Sequence, residues 1–133
     1  MNFSASFCDP FQPDIIELGD LPKDKIMAYF ESIPWAAYLE KMKRAKEENL
    51  YYSPSFEIEN KDNKNGLSVS AVDGTEWYIF FKRPKLVKRF FGLLEKMEED
   101  YLTDIRGQSI EDVRKCLRAL INNDLTFLEE KVK

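Results

Sequence analysis

The sequence predicts an α+β fold: a small antiparallel β-meander of three or more strands, packed on one face by N- and C-terminal helices. Three observations carry this expectation. The segments "SFEIE" and "LSVSA" alternate apolar and polar residues, and Trp77-Tyr78-Ile79-Phe80-Phe81 is continuously apolar. These are the patterns of strands with one face covered and with both faces demanding explanation. Asn65-Gly66 and Asp73-Gly74 separate the three runs by hairpin-sized gaps. On either side of this region apolar residues recur at helical spacing.

Residues 1–20 carry Phe3, Phe7 and Phe11 with Pro10 and Pro13 but no clear period, and are expected to form an extended N-terminal arm lying on the domain. Ile15, Ile16 and Leu18 allow a short strand within it. Pro22 follows Asp20, a cap and first-turn arrangement, and Ile26, Met27, Phe30 and Ile33 then give a helix near 22–32. Pro34 interrupts that helix and opens a second, since a first-turn proline forfeits no helical hydrogen bond. Trp35, Tyr38, Leu39 and Met42 form its apolar stripe, and "KMKRAKEE" is its solvated end.

In the β region Phe56, Ile58, Leu67, Val69, Ala71, Trp77, Ile79 and Phe81 are expected to face the helices. Glu57, Glu59, Ser68, Ser70, Glu76, Tyr78, Phe80 and Lys82 share the opposite face. A two-residue Asp73-Gly74 loop would mix these sets. A three-residue loop Val72-Asp73-Gly74 with Gly74 left-handed sorts them, pairing Ala71 with Thr75, Val69 with Trp77 and Leu67 with Ile79.

After Pro84, the apolar residues Leu86, Val87, Phe90, Phe91, Leu93, Leu94 and Met97 match a helix over 85–97. Two facts oppose it. Gly92 costs about 1 kcal/mol inside a helix, and Lys85, Lys88 and Arg89 would sit at the positive end of the helix dipole, so "KLVKRFFG" is the part that would otherwise be irregular or extended. "YLTDIRG" reads as a short strand. Ser109 and Asp112 form a capping box for a helix over 110–122 carrying Ile110, Val113, Leu117, Leu120 and Ile121, which Asn122-Asn123 ends. Thr126 and Glu129 are expected to cap a final short helix.

At 133 residues the chain suits a single domain spanning 1–133 that buries a core unaided. Its 44% apolar and 33% charged content excludes intrinsic disorder and suits a soluble surface. A net charge of −4 argues against general nucleic-acid binding, which depends on neutralising phosphates, and favours solubility or a basic partner. The N-terminus lacks the basic start and apolar run of a secretory signal, and no segment approaches the roughly 18–20 apolar residues of a membrane span. The expected location is cytoplasmic, with no membrane association, and Cys8 and Cys116 are expected as free thiols.

The chain has no histidine, which removes Ser-His and Cys-His nucleophile systems, HExxH zinc sites and the usual neutral-pH general base. It contains neither GxGxxG nor a Walker-type loop, so no cofactor is expected. Three groups of residues remain. Glu57 and Glu59 lie on one strand face, roughly 6.6 Å apart along the strand, within the range of carboxylate pairs in glycosidases; a solvated strand face has the same pattern. The basic cluster Lys82, Arg83, Lys85, Lys88 and Arg89 could steer an acidic ligand, or pair with Glu95, Glu98 or Glu99. Tyr78 and Phe80, ringed by Glu57, Glu59 and Glu76, have the composition of a partner-binding patch, unless the aromatic arm covers them.

The expected function is therefore that of a non-enzymatic intracellular protein-binding protein. In size, acidity and missing catalytic groups it is similar to small bacterial immunity and inhibitor proteins, which mask a toxin or enzyme whose active site is often basic. The expected partner-binding residues are Glu57, Glu59, Glu76, Tyr78 and Phe80. Two rival classes are a small enzyme or ligand-binding domain with an apolar pocket between sheet and helices, and a regulatory or structural subunit of an assembly.

Overall fold

The computed structural model describes residues 2–89 and 92–133. Six antiparallel strands form one sheet: β1 (Phe3–Cys8), β2 (Ile16–Leu21), β3 (Ser55–Asn60), β4 (Gly66–Ala71), β5 (Trp77–Arg89) and β6 (Leu94–Gln108), in the order β2-β1-β3-β4-β5-β6. The helices are α1 (Ile26–Ser32), α2 (Trp35–Arg44), α3 (Ile110–Ile121) and α4 (Leu125–Lys131). The expected α+β class and the meander β3-β4-β5 are present, extended by β6 on one side and an N-terminal hairpin on the other.

That hairpin corrects the first expectation. Residues described within 1–20 do not lie over the domain as an arm: β1 is an internal strand between β2 and β3, paired through Phe3↔Asn60, Ala5↔Ile58 and Phe7↔Phe56. Its alternation was hidden because Ser4, Ser6 and the small Ala5 make a weak pattern, yet Phe3, Ala5 and Phe7 all enter the core. The helix expected from residue 22 begins as a short 3-10 turn, Lys23–Lys25, before α1.

One face of the sheet and the helices enclose the core. Phe56, Ile58, Leu67, Val69, Ala71, Trp77, Ile79 and Phe81 are buried there as expected, against Ile26 and Phe30 of α1 and Val113, Cys116, Leu117 and Leu120 of α3. At its centre the Phe30 ring lies 5.5 Å from Trp35 and 5.7 Å from Trp77, and the two tryptophans meet edge-on at 4.9 Å. The Trp35 indole donates to the Phe30 carbonyl at 3.1 Å, which satisfies its buried N–H where α1 gives way to α2. Truncating Phe30 would cost about 3–5 kcal/mol.

The face assignment of the meander is right but its register is two residues longer than expected. Ala71 pairs with Trp77, Val69 with Ile79 and Leu67 with Phe81, so residues 72–76 form the connection and Gly74 has no positive φ. Asp73 explains the difference. Its Oδ1 accepts from the Thr75 and Glu76 amides at 2.9 and 3.0 Å, and Val72 N donates to Glu76 O at 3.0 Å. A side chain that closes the loop in this way removes the need for a left-handed glycine.

The expected helix over 85–97 is absent, and its Phe90 and Phe91 lie outside the described residues. Its residues 85–89 belong to β5 and 94–97 to β6, which pair as a long hairpin with Leu86↔Met97, Lys85↔Glu98 and Lys88↔Glu95. Opposite charges across strands stabilise such a pairing by about 0.2–1 kcal/mol each, whereas the same lysines would oppose a helix dipole. Gly92, at φ 84°, takes the left-handed conformation that a tight connection favours. "YLTDIRG" is the proximal half of β6. Arg83 anchors the base of the hairpin: it is buried, bonds bidentately to Glu129 of α4 at 2.9 Å through Nε and Nη2, and donates through Nη1 to Phe81 O and Thr103 Oγ1.

The Ser109 and Asp112 capping box forms, with side chain and backbone bonded reciprocally. Helix α4 is capped by Asp124, which accepts from Phe127 N at 3.2 Å, not by Thr126; Glu129 instead holds Arg83. Among the described residues no helix is long and apolar enough to cross a membrane.

Candidate functional site

The face of the sheet opposite the helices is open. Antiparallel pairing brings Ser6 of β1 beside Glu57, Glu57 beside Ser68, and Ser68 beside Phe80. Because side chains alternate along each strand, Ser4, Ser6, Glu57, Glu59, Ser68, Tyr78, Phe80 and Lys82 all emerge on this face. The N-terminal phenylalanines do not cover Tyr78 and Phe80: Phe3 and Phe7 point to the opposite side, into the core, and Phe11 lies under Lys41, whose Nζ is 5.2 Å from its ring centre.

Tyr78 and Phe80, both half-buried, stack on each other with ring centres 4.4 Å apart and planes 6° from parallel. Tyr78 Oη donates to Asp104 Oδ2 at 2.5 Å, and the Arg106 guanidinium lies 4.9 Å over its ring. The aromatic pair is thus fixed between a carboxylate and a cation, both from β6. Rings held this way lose little conformational freedom on meeting a partner.

Beside this stack the six strands form a groove of ≈ 330 Å³ lined by Ser6, Glu17, Glu57, Glu59, Lys82, Phe80 and Leu102 of β6. Glu57 accepts from Cys8 Sγ at 3.2 Å and Glu59 pairs with Lys82 at 3.1 Å. Burial, then the hydrogen bond to Glu57 and its charge, push the Cys8 thiol up to about 12, so it stays protonated and donates. Of the five residues singled out from sequence, Glu57, Glu59 and Phe80 line the groove. Tyr78 adjoins it through the stack with Phe80. Glu76 immediately precedes β5, and its backbone carbonyl closes the 72–76 connection.

Sequence reasoning missed Glu17, Leu102, Asp104 and Arg106. Glu17 reaches the face because β2 pairs Glu17 with Ser6, a relation invisible once the N-terminus is taken for an arm. Asp104 arrives opposite Phe80 through the β5-β6 register, and no local signal ties these two segments together. With them the face holds Glu17, Glu57, Glu59, Glu76 and Asp104 against Lys82 and Arg106, an acidic surface around two aromatics.

The basic cluster divides. Lys82, Arg83 and Lys85 are ion-paired with Glu59 and Glu129, while Lys88 stands opposite Glu95. Among the described residues no group of three or more carboxylates and thiols is arranged to hold a metal ion. The groove lies on the other side of the sheet from the helices. No protein-family model, no curated protein and no solved structure matches this chain.

Proposed function

We propose that this chain is a non-enzymatic, cytoplasmic protein-binding protein of the immunity or inhibitor kind, which masks a basic toxin or enzyme with the open face of its sheet. The observation that carries this reading is the stacked Tyr78 and Phe80 pair, held by Asp104 and Arg106 on a face rich in carboxylates. Aromatic anchors supply most of the affinity of a protein interface, and acids around them accelerate encounter with a cation-rich partner.

Capture from the source cell tests it, with wild type beside Tyr78→Ala and Phe80→Ala, each variant checked for folding by circular dichroism. Loss of a specific partner from a folded variant, with about 2 kcal/mol or more of affinity removed, supports the reading. Glu76→Lys should chiefly slow association, and added salt should weaken it. An unchanged set of partners sinks the proposal, as does enzymatic turnover that disappears with Glu57→Gln in a folded protein.

A further inference from the structure

The sheet has two edges, and they are built differently. Strand β2 is short, its register slips between Ala5 and Ser6 of β1, and Gly19 sits at φ 76° within it, features that spoil an edge for further pairing. Strand β6 runs for 15 residues. Between its two register shifts, residues 101–105 pair without interruption with β5, a length close to that of a typical strand, about 5–6 residues. Their outer side is the free edge of the sheet.

The charges along this edge select what can join it. Strand β6 carries Glu95, Glu98, Glu99, Asp100 and Asp104 against Lys96 and Arg106. Glu99 and Asp100 are exposed and fall where the register shifts, so neither has a cross-strand partner in β5. A second copy pairing antiparallel about Tyr101 would set Glu98 against Asp104. Pairing about Glu99 would set Glu98 against Asp100 and Glu99 against itself. Like charges directly opposite destabilise a ladder, and opposite charges stabilise it. Pairing about Thr103 would instead set Asp100 against Arg106, so it is the excess of acids over cations along β6, not register, that favours a cationic strand over a second copy.

We propose that a basic, extended segment of the partner protein adds as a further strand along residues 101–105 of β6. This rests on the protein-binding reading above and gives it a docking mode. Main-chain hydrogen bonds would supply affinity, and alternate side chains specificity. On the open face the added strand lies next to Leu102, which is 55% exposed, and to Asp104, which already holds Tyr78, so it continues directly into the aromatic pair.

The test uses the full chain and a short peptide alternating lysine and valine, followed by backbone amide shifts and hydrogen exchange. Beside it stand the glutamate-valine counterpart and the lysine-valine peptide with a central proline. Saturable binding of the lysine-valine peptide, with shifts and slowed exchange centred on residues 101–105, is expected. The proline and glutamate peptides should bind at least roughly tenfold more weakly, and the double variant Glu99→Lys, Asp100→Lys should reverse the preference between the two charged peptides. Absence of binding up to about 1 mM, equal binding of the three peptides, shifts centred elsewhere, or dimerisation of the chain through β6 would each overturn the proposal. Partner capture separates the two levels: if Phe80→Ala loses the cellular partner while the peptides ignore β6, strand addition falls and the binding face stands.

Discussion

Replacing Glu129 by Gln should loosen the base of the β5-β6 hairpin without altering its shape. Arg83 is only 4% exposed and gives Nε and Nη2 to the two Glu129 oxygens at 2.9 Å each, while Lys85 reaches one of them at 3.2 Å. Glutamine keeps one acceptor oxygen and turns an amide N–H₂ toward a cation. Removing one partner of a buried ion pair costs about 3–5 kcal/mol, and a single charge-assisted hydrogen bond contributes about 1.5–3 kcal/mol. The Glu129 side chain is 37% exposed, and Arg83 retains Phe81 O and Thr103 Oγ1, so the lower end applies: about 2 kcal/mol. With a urea m-value of about 2 kcal/mol/M, the unfolding midpoint should fall by about 1 M.

The pH dependence has a definite sign. The hydrogen bond from Arg83, followed by that from Lys85, holds the Glu129 carboxyl below its ordinary value of 4.5. A depressed carboxyl stabilises the fold above the unfolded value and loses that contribution as pH falls through the folded value. The gap between wild type and Glu129→Gln should accordingly be full at pH 7 and close in acid below pH 4.5. A gap under about 0.5 kcal/mol at neutral pH, or one that persists unchanged in acid, would refute the anchoring role of this pair.

Three further outcomes are expected. Gly74→Ala should change stability by less than about 0.5 kcal/mol, because Gly74 has no positive φ and a Cβ there meets open space; Gly19→Ala, at φ 76°, should cost about 1 kcal/mol or more in the same urea titration. Burial pushes the Cys8 thiol up to about 12 and the Cys116 thiol up to about 11, so both should resist a thiol reagent at pH 8 until urea exposes them; one thiol that labels at once in the folded protein would contradict this. Ser109→Ala removes both bonds of the Ser109 hydroxyl to Asp112 at the start of α3 and leaves the one from its backbone amide, which should cost about 1 kcal/mol, read as a lowered midpoint with unchanged m.

Local chemistry alone determined much of this protein. The alternation of "SFEIE" and "LSVSA" announced two strands, and parity then assigned every residue of the meander to the correct face, because a strand has only two. The capping box at Ser109 and Asp112 and the proline before Trp35 marked helix starts, since both act within one turn of chain. What failed was whatever depends on a distant partner. Leu86, Val87, Leu94 and Met97 fit a helical period as well as a strand, and only pairing across the hairpin, with Lys85 and Lys88 beside Glu98 and Glu95, decides between them. Phe3, Ala5 and Phe7 gain their alternation from an inserted position between β2 and β3, which no window on residues 1–20 contains. The meander loop came out longer because the Asp73 carboxylate, not backbone handedness, closes it. Tyr78 and Phe80 could be named from sequence as residues without a place in the core. Their setting, with Asp104 and Arg106 around them and Glu17 across the groove, exists only once β1, β2 and β6 are docked, because sheet neighbours are joined by backbone hydrogen bonds between segments far apart in the chain.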